Sequence, residues 1–399
     1  MVSGKLQGID MSDREFDVVV FGATGFTGRL VAEYLVGQYA GTLNWAMAGR
    51  SADKLAEIRD EIGAPADTTL IVADSADAAS LAAMAARTKV VLTTVGPYQS
   101  YGTPLVAACI AAGTDYVDLC GEPAWMHDVI EEFDAPAKAS GARIVLSCGF
   151  DSIPFDLGVY FLQQAAIKRT GAPLSRIKGR VRKMKGTFSG GTAASLKQTM
   201  VRAGEQPEVL DWLRDPFSLV PGFTGPVQPH GAKPIYEEDL GSWSAPFIMA
   251  SINTKNVHRS NALLGHLYGE DFVYDEMLLT GPGEKGEATA RHIAADRSMA
   301  TNPLKPGEGP SREEREAGFY DVMFCGTAAD GTRLVAGVTG DKDPGYGSTS
   351  KMIAESAICL ARDVGRDVTP GGVYTTAPAM GRALIDRLTA SAGLGFTLE

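Results

Sequence analysis

The segment Phe21-Gly22-Ala23-Thr24-Gly25-Phe26-Thr27-Gly28 follows an apolar run and opens an amphipathic one. Glycines at this spacing let a backbone close on a pyrophosphate, whose charge is stabilised by the amides and dipole of a helix N-terminus. The residues from Gly22 to Gly28 are therefore expected to hold a dinucleotide. An acidic residue about twenty positions further on would bind the ribose hydroxyls of NADH. Gly49-Arg50-Ser51 stands there instead. A guanidinium suits a 2′-phosphate, Ser51 offers a hydrogen bond and Lys54 adds charge one helical turn later, so NADPH is the expected cofactor. Ser51 also reads as a plain helix cap, and Asp74 as either an adenine contact or a cap. Val95-Gly96-Pro97 suits a rigid turn against the ribose or nicotinamide.

Other residues could carry chemistry beside that cofactor. The phenols of Tyr98 and Tyr101 follow the nicotinamide-side turn and could donate a hydrogen bond or a proton, or simply pack. Glu122 and the pair Asp151-Ser152 stand after later strands. Both project from the carboxyl edge as pocket candidates: Glu122 reads as an acid or base, or as an acceptor for helix backbone, and Asp151 as a pocket group or, before that, a turn residue ahead of Pro154. Ser189-Gly190-Gly191-Thr192 could offer free amides to an anion or carbonyl oxygen, or form an ordinary strand-to-helix turn. Arg176, Lys178, Arg180 and Arg182 alternate at strand spacing, which places them on one face of a sheet. That stripe is either a solvated face or a landing surface for an acidic carrier or a phosphopantetheine arm. His127, His230, His258, His266 and His292 lack metal-ligand spacing and no GxSxG string is present, which sets metalloenzyme and serine hydrolase readings aside.

The elements that would position these residues alternate short apolar runs with longer amphipathic ones. Strands are predicted at Phe16 to Phe21, Leu43 to Ala48, Thr69 to Ala73, Lys89 to Val95, Asp115 to Leu119 and Arg143 to Cys148. Helical patterns lie between them, including Pro104 to Ala112, as in a doubly wound parallel sheet. After Cys148 the rhythm changes, with a helix expected at Asp156 to Lys168 and strands at Arg176 to Phe188, Asp271 to Leu279, Phe319 to Ala328 and Arg333 to Thr339. Asp330-Gly331 between the last two signals a hairpin. Pro216 to Pro246 reads as an irregular connection and Thr301 to Arg315 as a mobile loop. The expected fold is α/β: a Rossmann domain over 1–150, an α+β domain over 151–345 and a C-terminal helical segment over 346–399 that packs back on the first domain. At 399 residues, with 45% hydrophobic and 21% charged, the chain can bury a sizeable core. A net charge of -11 speaks against a nucleic-acid partner. Five cysteines without CxxC pairing suggest reduced thiols in a cytoplasm, and no apolar stretch reads as a signal or membrane span. An exposed edge in the second sheet would permit a homodimer.

The strings VVVFGATGFTG, WAMAGRS, VVLTTVGPYQSYGTPLVAACIAAGTDYVDLCGE and SCGFDSIPFDLG resemble the saccharopine dehydrogenase-like oxidoreductases, and the likeness continues through FSGGTAAS and GGVYTTAPAMG. Within that family the chain looks similar to the mycobacterial trans-acting enoyl reductases. The resemblance implies an NADPH-dependent reductase that saturates an enoyl double bond on a polyketide or acyl thioester in lipid biosynthesis, with the substrate carried on an acyl carrier protein. A saccharopine-type amino-acid dehydrogenase and a non-catalytic NADPH-binding partner are the alternatives. Enoyl reduction needs a hydride at the β carbon, a proton at the α carbon and a donor to the thioester oxygen.

Overall fold

The computed structural model describes residues 13–186, 190–298 and 308–399. The first six strands are β1 (Phe16–Phe21), β2 (Trp45–Gly49), β3 (Thr69–Val72), β4 (Thr88–Thr93), β5 (Asp115–Val117) and β6 (Arg143–Val145). Between them run α1 (Phe26–Tyr39), α2 (Ala52–Glu61), α3 (Ala78–Ala85), α4 (Tyr98–Ala112) and α5 (Pro123–Ser140). Val18, Val19 and Val20 of β1 are fully buried, as a strand covered on both faces requires. Every pairing in this sheet is parallel, and the order β3-β2-β1-β4-β5-β6 reverses direction at β1, where the carboxyl edge opens a crevice.

Helix α6 (Ile153–Thr170) leads into the second sheet. Its strands are β7 (Arg176–Lys185), β8 (Ile235–Glu237), β9 (Ser242–Pro246), β10 (Val273–Gly281), β11 (Phe319–Thr327) and β12 (Arg333–Gly340). Only β7 and β10 pair in parallel, and β11 with β12 forms the hairpin signalled by Asp330-Gly331, where Gly331 has φ +85°. The helices of this part are α7 (Gly190–Glu205), α8 (Glu208–Arg214), α9 (Ala250–Leu263), α10 (Gly283–Ala295) and α11 (Arg312–Glu316). Pro216 to Pro246, expected to be irregular, ends in β8 and β9, of which β9 pairs with the edge of β10 and β8 with β9. Residues 301–307 of the expected mobile loop and Ser189 lie outside the described residues, and 312–316 are helical with a full capping box from Ser311 and Glu314.

The C-terminal part departs from the helical expectation. A π-helical turn over Pro344–Ser348 precedes α12 (Thr349–Arg362), which packs on α1 and β4. Then β13 (Gly372–Tyr374) adds a seventh parallel strand beside β6, α13 (Thr376–Ser391) packs on α6, and β14 (Leu394–Leu398) extends the second sheet beside β12. The chain thus ends by contributing one strand to each sheet. Three and five residues are too few to show a periodicity of their own, and neighbouring strands supply the missing stabilisation. One apolar core joins both sheets through α6, where Phe155 meets Phe247 and Phe324.

Candidate active site and cofactor cleft

The glycine loop has the shape a pyrophosphate needs. Gly22 adopts φ +93°, and a Cβ on Gly28 would stand 2.1 Å from the Gly22 carbonyl oxygen, so neither position accepts a side chain. No side chain caps the first turn of α1 and no acidic residue stands in it, which leaves its amides open to an anion. Ala23 is buried, and Thr24 lies beside Gly49 at the end of β2. Arg50 and Lys54 are exposed where that strand ends, so a 2′-phosphate could be met there. The Ser51 hydroxyl accepts the Lys54 amide at 3.3 Å and caps α2, while its own proton stays free for a phosphate oxygen. The Asp74 carboxylate accepts the Ala76 amide at 2.9 Å, which makes it a turn residue.

From this loop a cavity of about 340 Å³ runs across the carboxyl edge of the first sheet and under the second. Gly25, Phe26, Thr27, Thr94 and Gly96 form its cofactor side, whereas Arg50, Ser51, Lys54, Asp74 and Val95 lie away from it. Phe26 is clamped edge-on against Tyr346, with ring centres 4.8 Å apart. The Tyr346 hydroxyl donates to the Glu308 carbonyl and accepts the Gly190 amide, tying three separate segments over the glycine loop. The opposite wall is largely apolar, with Leu119, Phe150, Met184, Leu196, Leu213, Ile248, Met249 and Ile252. Among the described residues lining the cavity, the charged ones are Asp151 and Glu308, and none is Lys, Arg or His.

The three catalytic candidates separate. Tyr98 lines the cavity but is buried in the first turn of α4, stacked near Trp125, and its hydroxyl accepts the Leu119 amide and points its proton at the Thr93 carbonyl. Burial and the nearby Asp118 push its pKa well above the usual phenol value, so it holds its proton in a structural bond. Tyr101 is exposed and outside the cavity lining. Glu122 is 1% exposed and accepts the Tyr98 amide at 2.8 Å, the Gln99 amide at 3.0 Å and the Ser195 hydroxyl at 2.7 Å. It caps α4 and fastens α7 to the first domain, which explains why α4 begins at Tyr98 and not at Pro104.

Asp118 performs a related task at the other end of the cavity. Its carboxylate accepts the Cys120 and Ser147 amides and the Tyr116 hydroxyl, stapling together the loops that leave β5 and β6. Ser147 is held there with φ +62°, an uncommon conformation for a residue with a side chain. Burial raises the Asp118 carboxyl to about 7 despite those donors.

The basic stripe is not a landing surface. Arg176 pairs with Asp275, Lys178 with Glu237 and Asp239, Arg180 with Glu237 and Asp275, and Arg182 with Asp321 and Glu399. Arg180 is 1% exposed. The four cations do share a face of β7, but acids on β8, β10, β11 and at the end of β14 neutralise it.

Asp151, a pocket candidate that the sequence presents first as a turn residue, is both. It sits in the turn Gly149–Ser152, held by backbone bonds from Ser152 and Ile153 to the Gly149 carbonyl and by the Phe150 amide on Thr349 Oγ1. Its backbone carbonyl accepts the Ser152 hydroxyl, which in turn accepts Asn256 Nδ2. The carboxyl itself lines the cavity, and no hydrogen bond or ion pair reaches it from the described residues. Burial pushes it up to about 6.

No group of His, Cys, Asp and Glu that could hold a metal occurs among the described residues, and no described helix is long and apolar enough to cross a membrane. Residues 18–145 match the saccharopine dehydrogenase NADP binding domain. Over 404 residues, 95% of this chain and 96% of the relative, the sequence is 42% identical to a Mycobacterium tuberculosis protein provisionally named a trans-acting enoyl reductase. It is 39% identical to the trans-acting enoyl reductase of Mycobacterium leprae, over 96% of this chain and 97% of that one. Yeast saccharopine dehydrogenase (L-Glu forming) shares the fold with a TM-score of 0.56 at 11% identity, over 96% of this chain and 99% of that one. An open glycine loop matched to an NADP-binding domain makes this an NADPH-dependent oxidoreductase, and the full-length identity shows that the chain belongs to the saccharopine dehydrogenase-like family, in the group of the mycobacterial trans-acting enoyl reductases.

Proposed function

We propose that this protein is an enoyl reductase acting in trans, saturating the double bond of an acyl or polyketide thioester for lipid biosynthesis. NADPH bound at the glycine loop supplies the hydride. The observation that carries the reading is the chemistry of the cavity wall: apolar side chains, the carboxyls of Asp151 and Glu308, and no cation among its described residues. A saccharopine-type substrate brings several carboxylates, which need cationic partners when they leave water. A neutral thioester with an apolar chain needs none. At the rim, Leu196 and Ile248 are 42% and 45% exposed, an apolar exit for a chain longer than the cavity.

The protein's own residues contribute position more than chemistry. The amides of α1 orient the pyrophosphate, Phe26 and Tyr346 close the loop from water, and Asp118 holds the Ser147 and Cys120 segments against the reacting end. The test is NADPH consumption with a series of trans-2-enoyl thioesters, beside NADP+ reduction with saccharopine. Turnover of the thioesters alone, with KM falling as the chain lengthens, is expected. Turnover of saccharopine alone would overturn the reading.

A further inference from the structure

We infer that Asp151 is the catalytic acid of this cavity, giving its carboxyl proton to the α carbon as hydride reaches the β carbon. The inference rests on the enoyl reading above. The balance is simple: the C=C π bond breaks, one C–H bond forms at the β carbon with the hydride pair and one at the α carbon with the proton. NADPH is oxidised, the acyl chain is reduced, and Asp151 regains its proton from water.

The geometry selects Asp151 by elimination. Among the lining residues that carry an acidic proton, Tyr98 directs its phenol at the Thr93 carbonyl and Tyr346 at the Glu308 carbonyl. The Cys120 thiol is buried and its pKa is pushed well up by burial and by Asp118. The hydroxyls of Ser147, Ser195, Ser251 and Thr349 already donate to Cys120 O, Glu122 Oε1, Ile248 O and Pro344 O, that of Thr94 faces Gly22 O, and those of Thr27, Thr192 and Thr199 are alcohols, far weaker acids than a carboxyl. Glu308 is exposed at the rim. Among the described lining residues, Asp151 alone couples a carboxyl without a hydrogen-bond or ion-pair partner to a position inside the cavity, in a turn fixed by Thr349, Gly149 and Asn256. The titratable groups around the same cavity are Tyr98, Cys120, Glu308 and Tyr346, and burial is the cause of its raised pKa, which suits an acid that must be protonated near neutral pH. A carboxyl retained for structure would be expected to have found a donor.

The experiment compares wild type with Asp151→Asn and Asp151→Glu in D2O, using the thioester that wild type turns over. NADPH affinity by calorimetry should be unchanged in both variants, which shows that the fold and cofactor site survive. Asp151→Asn should lose about 10²-fold or more in turnover, and Asp151→Glu should recover part of it. The wild-type product should carry deuterium at the α carbon in one configuration, and the Asp151→Asn product in both, because solvent then protonates the enolate. Wild-type turnover should fall as pH rises through about 6, and that limb should vanish in Asp151→Asn. Full turnover with single configuration in Asp151→Asn overturns the assignment. If wild type oxidises saccharopine and reduces no thioester, the enoyl reading fails and, with no α carbon to protonate, this role of Asp151 fails with it, whereas full single-configuration turnover of the thioester by Asp151→Asn overturns the role of Asp151 alone. A chain that binds NADPH and turns over neither has no proton to deliver, which overturns both.

Discussion

Replacing Glu122 separates its structural role from a chemical one. Its carboxylate is almost fully buried and serves two backbone donors at 2.8 and 3.0 Å and one hydroxyl at 2.7 Å. Glutamine keeps the length but has one carbonyl oxygen, so one amide of α4 is turned toward an NH2 group and the charge assistance is lost. Hydrogen bonds to charged groups contribute about 1.5–3 kcal/mol each, which sets the expected cost of Glu122→Gln at about 2 kcal/mol. Alanine orphans both amides, at about 1–3 kcal/mol each, or roughly 2–6 kcal/mol together, and also frees α7 from the first domain. Urea unfolding monitored by Trp125 fluorescence reads the loss as a lower midpoint at unchanged slope. Turnover of Glu122→Gln at a temperature well below its unfolding transition should stay close to wild type. A variant with a native midpoint but turnover reduced about 10²–10⁴-fold would show that Glu122 moves a proton, and would refute the capping argument.

Three further perturbations have definite outcomes. Arg50→Asp should raise the NADPH Kd far more than the NADH Kd in calorimetry if the exposed guanidinium receives the 2′-phosphate, because aspartate would set a like charge against that phosphate; equal changes would remove Arg50 from the cofactor site. Arg180→Ala should destabilise the second sheet by up to about 3–5 kcal/mol in chemical denaturation, since it removes the buried partner of Glu237 and Asp275 and leaves them only the part-exposed Lys178 and Arg176, whereas a surface charge would cost almost nothing. Glu276 is fully buried and its carboxyl is pushed up to about 8 by burial. A pKa raised on folding means that the folded state favours the proton, so this contribution is complete at pH below about 4.5 and is lost as pH rises through about 8. Glu276→Gln should flatten the alkaline fall in stability, and an unchanged pH profile would exclude Glu276 as its source.

Much of the first domain was legible because its signals are local. The run Phe16–Phe21, the glycines behind it and the Asp330-Gly331 hairpin each need only their own neighbours in sequence to take shape. The site was less legible because its decisive contacts are distant. Tyr98 and Glu122 are 24 positions apart, so no local pattern told that α4 starts at Tyr98, or that this carboxylate is occupied. The stripe on β7 was read with the right spacing and the wrong surroundings, since the acids that neutralise Arg180 come from Glu237 and Asp275. Asp151 was read as a turn residue ahead of a pocket residue for the opposite reason. In Gly149-Phe150-Asp151-Ser152 it has the appearance of a turn former, and only the folded cavity shows that its carboxyl has no partner in the turn.

The two strands added by the chain's last residues also set a timetable for synthesis. The parallel sheet that cradles the cofactor lacks its outer strand beside β6 until Gly372–Tyr374 emerges from the ribosome, and the second sheet lacks an edge until Leu394–Leu398 follows. Domains that close on their own sequence can fold while translation continues. Here the growing polypeptide must hold β6 and β12 as open strand edges until residues 372–398 have been made, a stage at which chaperone cover matters most. A frameshift or premature stop just ahead of Gly372 would therefore remove a strand from both halves of the molecule at once.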